Sequence, residues 1–366
     1  MRILIAPDKF AGTMTAAEAA SAIADGWRRA REGDAAAELP LADGGPGFLD
    51  VLEAAIPAAA RRTVDARDPL GRPVRADYLR DGDTAYVESA TTCGLHLLDA
   101  AERDPLRATT YGLGQVLADA IESGARRIVV GLGGSATNDA GAGMLTVLGY
   151  TCRDLSGDAL AYGGASLASC TSIDGVPRTR GVEFVAATDV DSPLLGPNGA
   201  TRIFGPQKGA QGGDLPLLES ALANFAEIAE RDIGPAGASG WPGAGAAGGL
   251  GMALFLLGGH RASGARLTCE AVGLDAAVAE ADLVITGEGS FDAQSLHGKL
   301  AAEVASAAAS HGKPCLVLAG KSDLDEHPDL SGVHSVAGLL GSVQDAMKAP
   351  VEGLRALAES VARDWK

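Results

Sequence analysis

Aromatic side chains are scarce in this sequence of 366 residues, because they make up 4% of it while hydrophobic residues make up 46%. A core with so few aromatic rings has to be built from Ala, Val, Leu and Ile, which favour close packing of helices on sheets. The 50 glycines follow no collagen-like period, so they predict tight turns and close backbone approaches. We therefore expect an α/β fold with many functional loops.

Positive charge is also limited. The chain has seven lysines and 23 arginines, and its formal net charge is -17. This balance argues against a general surface for nucleic acid or for an anionic membrane, because both would repel the chain. An anionic small-molecule substrate must therefore meet local positive charge.

Long hydrophobic runs and cysteine patterns are missing as well. No run approaches 18 apolar residues, and the first one ends at Pro7, so we expect neither a membrane span nor a signal peptide. The five cysteines are odd in number and widely spaced, without CxxC or Cys/His metal spacing. A reducing, cytoplasmic compartment fits this usage best.

The order of the predicted elements indicates an α/β protein. Residues 2–6 resemble a buried strand and residues 15–31 a helix, with Thr15 as N-cap and Glu18 three positions later. DPLGRP and RDGDT predict antiparallel hairpins between residues 62 and 88. Strands and helices alternate over the last hundred residues, which is typical of a parallel sheet with helices on both faces.

Length favours two domains. We predict a three-layer α/β/α, Rossmann-like domain with a parallel sheet, and a second, mixed α/β domain inserted into it. The predicted boundaries are 1–60, 107–150 and 266–366 for the parallel-sheet domain, and 61–106 with 151–265 for the inserted domain.

Four loops combine glycines with carboxylates or amides directly after predicted strands. Ligands bind at the carboxyl edge of the strands in open α/β sheets, so these loops predict a shared site. They contribute Asp8 and Lys9; Asp43, Gly44 and Gly45; Gly133, Gly134, Ser135, Asn138 and Asp139; and Gly287, Glu288, Gly289 and Asp292.

The third of these loops, GLGGSATNDAGAG, is open to three interpretations. Its glycines and hydroxyl groups suit a phosphate. It also satisfies GxGxxA, and Asp154 lies near the spacing of a ribose-binding acid, which would indicate a dinucleotide. Alternatively, the glycines serve only the packing of a helix on a strand. Gly320, Lys321 and Ser322 do not complete a Walker A motif, because Cys315 stands where its first glycine would be.

Further candidates for chemistry lie in three segments. In ATDVDSPLLG, Asp189 and Asp191 stand two residues apart after a predicted strand, which suits Mg²⁺ or a proton acceptor; the alternative is a simple turn. In FGPQKGA, Lys208 could hold a carboxylate or a phosphoryl group, or be a solvated surface amine. GEGSFDAQSLHGK adds Gln294 and Lys299.

Ten motifs in one order resemble the glycerate kinase family of the bacterial glyoxylate and glucarate pathways. They cover nearly the whole chain: APDKFAGTMTAAEAA, PLADGGPGF, DPLGRPV, ESATTCGL, ATTYGLGQ, GLGGSATNDAGAGML, VAATDVDSPLLGPNGAT, FGPQKGA, AGAAGGLG and VITGEGSFDAQSLHGK. The resemblance implies a two-domain α/β kinase that transfers the γ-phosphoryl group of ATP to a glycerate hydroxyl in a cleft between the domains, with 2-phosphoglycerate as the favoured product.

Two departures from the family pattern fall in the candidate site. The first loop of the family usually carries a lysine at the position of Ala11, whereas this chain has Lys9 two residues earlier. The second loop usually reads DGGEGT, whereas this chain has Pro46 and Phe48, which removes a carboxylate beside Asp43. We expect these changes to affect the acceptor more than the fold.

The sequence thus predicts a cytoplasmic kinase that uses ATP and Mg²⁺. Asp189, Lys208 and Asp8 are the predicted catalytic residues, and Asp189 with Asp191 the predicted magnesium ligands. The alternatives are a regulatory ligand-binding protein that has lost turnover and a nicotinamide-dependent enzyme that uses GLGGSA. A homo-oligomer is compatible with the sequence.

Overall fold

The computed structural model describes residues 1–179, 181–292, 295, 299–324 and 327–366. Its strands are β1 (Arg2–Ile5), β2 (Ala35–Glu38), β3 (Ala60–Arg67), β4 (Pro73–Asp81), β5 (Thr84–Glu88), β6 (Arg127–Gly131), β7 (Tyr150–Arg153), β8 (Ser172–Gly175), β9 (Glu183–Ala187), β10 (His260–Ala262), β11 (Leu283–Thr286), β12 (Ser290–Phe291), β13 (Cys315–Ala319), β14 (Lys321–Ser322) and β15 (Gly332–Ser335).

Helices alternate with these strands, which confirms the α/β class. They are α1 (Ala16–Ala30), α2 (Phe48–Ala55), α3 (Ala90–Cys93), α4 (Tyr111–Glu122), α5 (Ala142–Val147), α6 (Ala200–Phe204), α7 (Asp214–Asp232), α8 (Leu250–Leu256), α9 (Gly264–Ala271), α10 (Leu274–Glu280), α11 (Leu300–Ser310), α12 (Val336–Leu340), α13 (Val343–Lys348) and α14 (Pro350–Asp364). Within the described ranges, none of them combines the length and the apolar character that a membrane span requires.

The chain divides into two compact units. Unit 1 contains Met1–Asp43, Asp50–Ala55 and Ser263–Lys366, and unit 2 contains Gly44–Leu49 and Ile56–Ala262.

Unit 1 is a three-layer α/β/α domain around a parallel sheet. The strand order is β15-β13-β11-β1-β2, which in chain order is the 2-1-3-4-5 arrangement of flavodoxin-type sheets. Side chains alternate across β1, so that Ile3 and Ile5 pack in the layer of α1 and α14, while Leu4 packs in the layer of α9 to α11. This order reverses direction between β1 and β11, which is where such sheets bind ligands.

Helix α1 shows how local sequence builds this unit. The Thr15 hydroxyl accepts the Glu18 backbone N–H, and the Glu18 carboxylate accepts the Thr15 N–H, which confirms the predicted N-cap. Gly26 lets the helix approach α14, because a Cβ atom there would lie 2.1 Å from the carbonyl oxygen of Arg355.

Unit 2 contains a mixed sheet in the order β10-β9-β6-β5-β4-β3. The pairs β3–β4 and β4–β5 are antiparallel, which confirms the predicted hairpins, and β5, β6, β9 and β10 are parallel. The core includes α4, α7 and α8 and is composed largely of aliphatic side chains, as the composition indicates.

The predicted domain boundaries are wrong for residues 107–150. The prediction places residues 107–150 in the parallel-sheet domain. In the structure, β6 pairs in parallel with β5 and β9, so these residues belong to unit 2. Residues 44–49 also belong to unit 2, since the Glu88 carboxylate accepts the backbone N–H groups of Gly47 and Leu49. A strand-loop-helix pattern looks alike in both sheets, so periodicity could not assign it.

Candidate functional site

Three loops of unit 1 end at the same edge of its sheet. Asp8 and Lys9 follow β1, Asp43 comes after β2, and Glu288 follows β11. The strands β1 and β11 are neighbours, so their loops flank the point where the strand order reverses. The Asp8 backbone N–H donates to the carbonyl oxygen of Gly287 at 2.8 Å, which ties the two loops together.

A compact charge network occupies this edge. The Lys9 amine donates to Asp43 Oδ1 at 2.7 Å and to Asp8 Oδ1 at 3.5 Å, and the Lys9 backbone N–H donates to the same Asp8 oxygen at 2.7 Å. Burial, reinforced by the charge of Asp43, raises the pKa of Asp8 to about 7 against the influence of Lys9. Burial lowers the pKa of Lys9, but the two carboxylates outweigh it and the net shift is upward. Asp8 can therefore exchange a proton near neutral pH.

Glu288 extends the network. Burial raises its pKa, while a hydrogen bond from Ser295 and the charge of Lys299 act in the opposite direction. Asp292 accepts the Ser295 backbone N–H at 3.3 Å, so it shapes this loop, and Lys299 directly precedes α11. The predicted residue Gln294 lies outside the described residues.

The network opens into a cavity of about 390 Å³ within unit 1. One end is lined by Asp8, Lys9, Asp43 and Glu288, and the other by apolar side chains from the first loop, α12 and α13. Lys321 also lines the cavity, and sequence reasoning left it out of the site because Walker A spacing fails there. The signal that could have found it was glycine and lysine directly after the buried strand β13.

In unit 2, the loop of residues 133–139 follows β6 and is supported from inside by Lys208. The Lys208 amine donates to the carbonyl oxygen of Thr137 at 2.7 Å and to Ser135 Oγ at 3.0 Å. Only 2% of Lys208 is exposed, so the interpretation as a surface amine is wrong. Burial lowers its pKa to about 7, although the nearby Asp139 favours the charged form.

The other polar residues of this loop are mostly engaged. Asp139 accepts hydrogen bonds from the backbone and hydroxyl of Thr110 and from the backbone N–H groups of Gly141 and Gly143. Burial raises its pKa, although these bonds oppose the shift. Asn138 Nδ2 donates to Thr201 Oγ1 at 3.0 Å. Within the described ranges, the buried atoms Asn138 Oδ1 and Thr137 Oγ1 have no hydrogen-bond partner, which leaves an amide oxygen and a hydroxyl group unpaired in the loop.

The glycines of this loop are needed for close backbone packing. A Cβ atom on Gly133 would lie 2.5 Å from the Cα atom of Gly45, and one on Gly131 would lie 2.5 Å from the carbonyl oxygen of Gly44. Gly134 has a φ of +67°, and a Cβ atom there would lie 2.7 Å from Pro46 Cγ. Pro46 thus fills space against this loop.

The structure argues against the dinucleotide interpretation. In that fingerprint the helix starts within the glycine-rich turn, whereas α5 begins only at Ala142, well after β6 ends at Gly131. Asp154 follows β7, which pairs antiparallel with β8 in a separate sheet, and its carboxylate accepts the N–H groups of Ser156 and Asp158. It shapes a turn and is not placed as a ribose-binding acid.

Asp189 and Asp191 follow β9 in different surroundings. The Asp191 side chain is 77% exposed and lies 2.5 Å from Arg261 Nη1, and Arg261 Nε also donates to the carbonyl oxygen of Thr188. Asp189 is half-buried, and its Oδ1 atom is buried. Asp191 is thus paired with Arg261 at the surface, and the joint magnesium site of Asp189 and Asp191 stays a prediction. Asp189 alone still suits Mg²⁺, which often takes one or two protein carboxylates together with phosphate oxygens and water.

Known proteins are similar to this chain along its whole length. A family model described as "Glycerate kinase family" matches residues 3–366. "Glycerate kinase" of Bacillus subtilis is 40% identical, with 100% of this chain and 98% of that protein covered. "Glycerate 2-kinase" of Escherichia coli is 38% identical, with 99% and 97% covered. A crystal structure of a putative glycerate kinase 2 from Salmonella typhimurium is 39% identical, with a TM-score of 0.78 and coverage of 100% and 98%.

Proposed function

The chain belongs to the glycerate kinase family and is therefore a kinase, and we propose that it transfers the γ-phosphoryl group of ATP to a hydroxyl group of glycerate. The observation that carries the proposal is the match over the whole chain to relatives named glycerate kinase and glycerate 2-kinase. The second of these names favours 2-phosphoglycerate as the product. The five cysteines, all buried free thiols, agree with the proposed cytoplasmic location.

Catalysis in this proposal rests on positioning and on neutralisation of charge. Mg²⁺ bound with ATP would screen the phosphates, and Asp189 is the residue proposed to hold it or to accept the hydroxyl proton. Lys9 supplies positive charge beside Asp8 and Asp43. Lys208 keeps residues 133–139 in place through Ser135 and Thr137, so we assign it a positioning role.

The proposal is tested with purified protein, ATP and Mg²⁺, supplied with D-glycerate, L-glycerate or other hydroxy acids, and with the products resolved by phosphorus NMR. We expect ADP release that depends on both glycerate and Mg²⁺, together with a new phosphate-ester signal that identifies the phosphorylated hydroxyl. Binding of ATP without ADP release for any hydroxy acid would support the regulatory alternative. Tighter binding of NAD than of ATP would support the nicotinamide alternative.

A further inference from the structure

The cavity of unit 1 has two chemically distinct ends. Its volume of about 390 Å³ lies in the range of small-molecule sites, and the loops after β1, β11 and β13 form its charged end. Helices α12 and α13 form much of the opposite end. Such a division suits a ligand with one apolar part and one charged part.

The apolar end offers a wall for a flat ring. Phe10 and Val336 are buried there, while Val343 and Met347 on α13 are 45% and 63% exposed at the rim. Glycerate has no group for this wall, because each of its three carbons carries oxygen. A purine base would bury its faces against these side chains, as bases do on apolar surfaces.

The charged end contains two lysines in different states. Lys9 is committed to Asp43, at 2.7 Å. The Lys321 amine has no ion pair or hydrogen bond with any described residue, so it is available for a phosphate. The carboxylates of this end repel a bare polyphosphate, and a magnesium ion bound to the phosphates reduces that repulsion, which favours Mg·ATP over the free nucleotide.

We propose that this cavity is the nucleotide subsite, with the adenine base against α13 and the phosphates directed toward Lys321. The inference rests on the proposed function, because it locates the ATP that the kinase uses. The reversal of strand order between β1 and β11 supports it independently, since open α/β sheets bind ligands at that point. Glycerate then binds elsewhere than at the apolar wall.

The first test places bulk at the apolar rim. Val343→Trp should weaken binding of the β,γ-imido analogue of ATP with Mg²⁺ by about tenfold or more in calorimetric titration, because the indole would occupy the space of the base. D-glycerate affinity should stay within about twofold. Gln344→Trp is the matched control, since Gln344 is exposed on the same helix and does not line the cavity, and it should leave both affinities unchanged.

The second test distinguishes binding of the phosphates from binding of the adenine base. Lys321→Met should weaken the imido analogue by about tenfold and leave the affinity for adenosine unaltered, because adenosine carries no phosphate. The inference would be overturned if Val343→Trp bound the imido analogue as tightly as the wild type does, or if it lost glycerate binding instead. The proposed function would still stand in either case, provided that the wild-type protein turns over ATP and glycerate. A wild-type protein that binds no nucleotide would overturn both.

Discussion

The amine of Lys208 lies 2.7 Å from the carbonyl oxygen of Thr137, in an interior where only 2% of the lysine is exposed. A buried ammonium group is costly unless it is paired and hydrogen-bonded, and here the contacts are to a carbonyl and a hydroxyl. The cost is reduced when the amine loses its proton. The conformation of residues 133–139, which Lys208 supports, thus depends on the protonation state of its amine.

Replacing Lys208 should make the stability of the protein less dependent on pH. Its pKa is about 7 in the folded chain and 10.5 as the ordinary value, so between those values the unfolded chain binds a proton that the folded chain lacks. The free energy of unfolding of the wild type should therefore rise with pH, by at most about 1.4 kcal/mol per unit, relative to Lys208→Met. Urea denaturation of both proteins from pH 6.5 to 9.5 measures this difference. A difference that is constant with pH would show that Lys208 keeps its proton.

The contribution of Asp8 to the pH dependence of stability should have the opposite sign to that of Lys208. Its pKa is raised from 3.8 to about 7, so between those values the folded chain binds the extra proton and the free energy of unfolding falls as pH rises. Asp8→Asn removes this loss, and we expect the variant to gain stability over the wild type from pH 4 to 7, with a constant difference above pH 7. Thermal denaturation across this range gives the measurement. Equal pH profiles for the two proteins would contradict the raised pKa.

Lys9 should be needed for activity, and a lysine at another position in the cavity should be able to replace its positive charge. Lys9→Met leaves Asp8 and Asp43 without their counter-ion, and we expect kcat/KM for glycerate to fall by about 10- to 100-fold. Ala11 lines the same cavity, and the family pattern that the first loop resembles implies a lysine there, so Lys9→Met combined with Ala11→Lys should recover much of the loss. If the double variant is no better than the single one, the position of the charge matters as well as its sign.

Asp189 and Asp191 should respond very differently to the same change. Asp189→Asn should lower turnover by a factor on the order of 10² to 10⁴ if the carboxylate accepts the proton. If it holds Mg²⁺, the magnesium requirement should also move to higher concentration, because an amide is a weaker ligand for a hard cation. Asp191→Asn is the control, and its exposed pairing with Arg261 predicts a change within about threefold. Similar losses in both variants would restore the pair as a joint site.

Much of the fold could be predicted because its signals are local. Thr15 and Glu18 lie within one turn, so the N-cap of α1 is encoded where it acts. The turn residues between β3, β4 and β5 act over a few positions in the same way. The ordered motifs of the loops likewise predicted a kinase, because their resemblance to the glycerate kinase family is visible without coordinates.

Tertiary structure alone decided which of these residues meet. The pairing of β6 with β5 and β9 depends on long-range hydrogen bonds that no window of sequence contains. Arg261 reaches Asp191 from far along the chain, so that Asp191 and Asp189 have different surroundings. The burial of Lys208 depends on all the segments packed around it, and burial changes the pKa of an amine from that of a surface lysine to about 7. Sequence therefore determined the kinds of groups and the elements that carry them, while packing determined their partners, because contact energies act between neighbours in space and not along the chain.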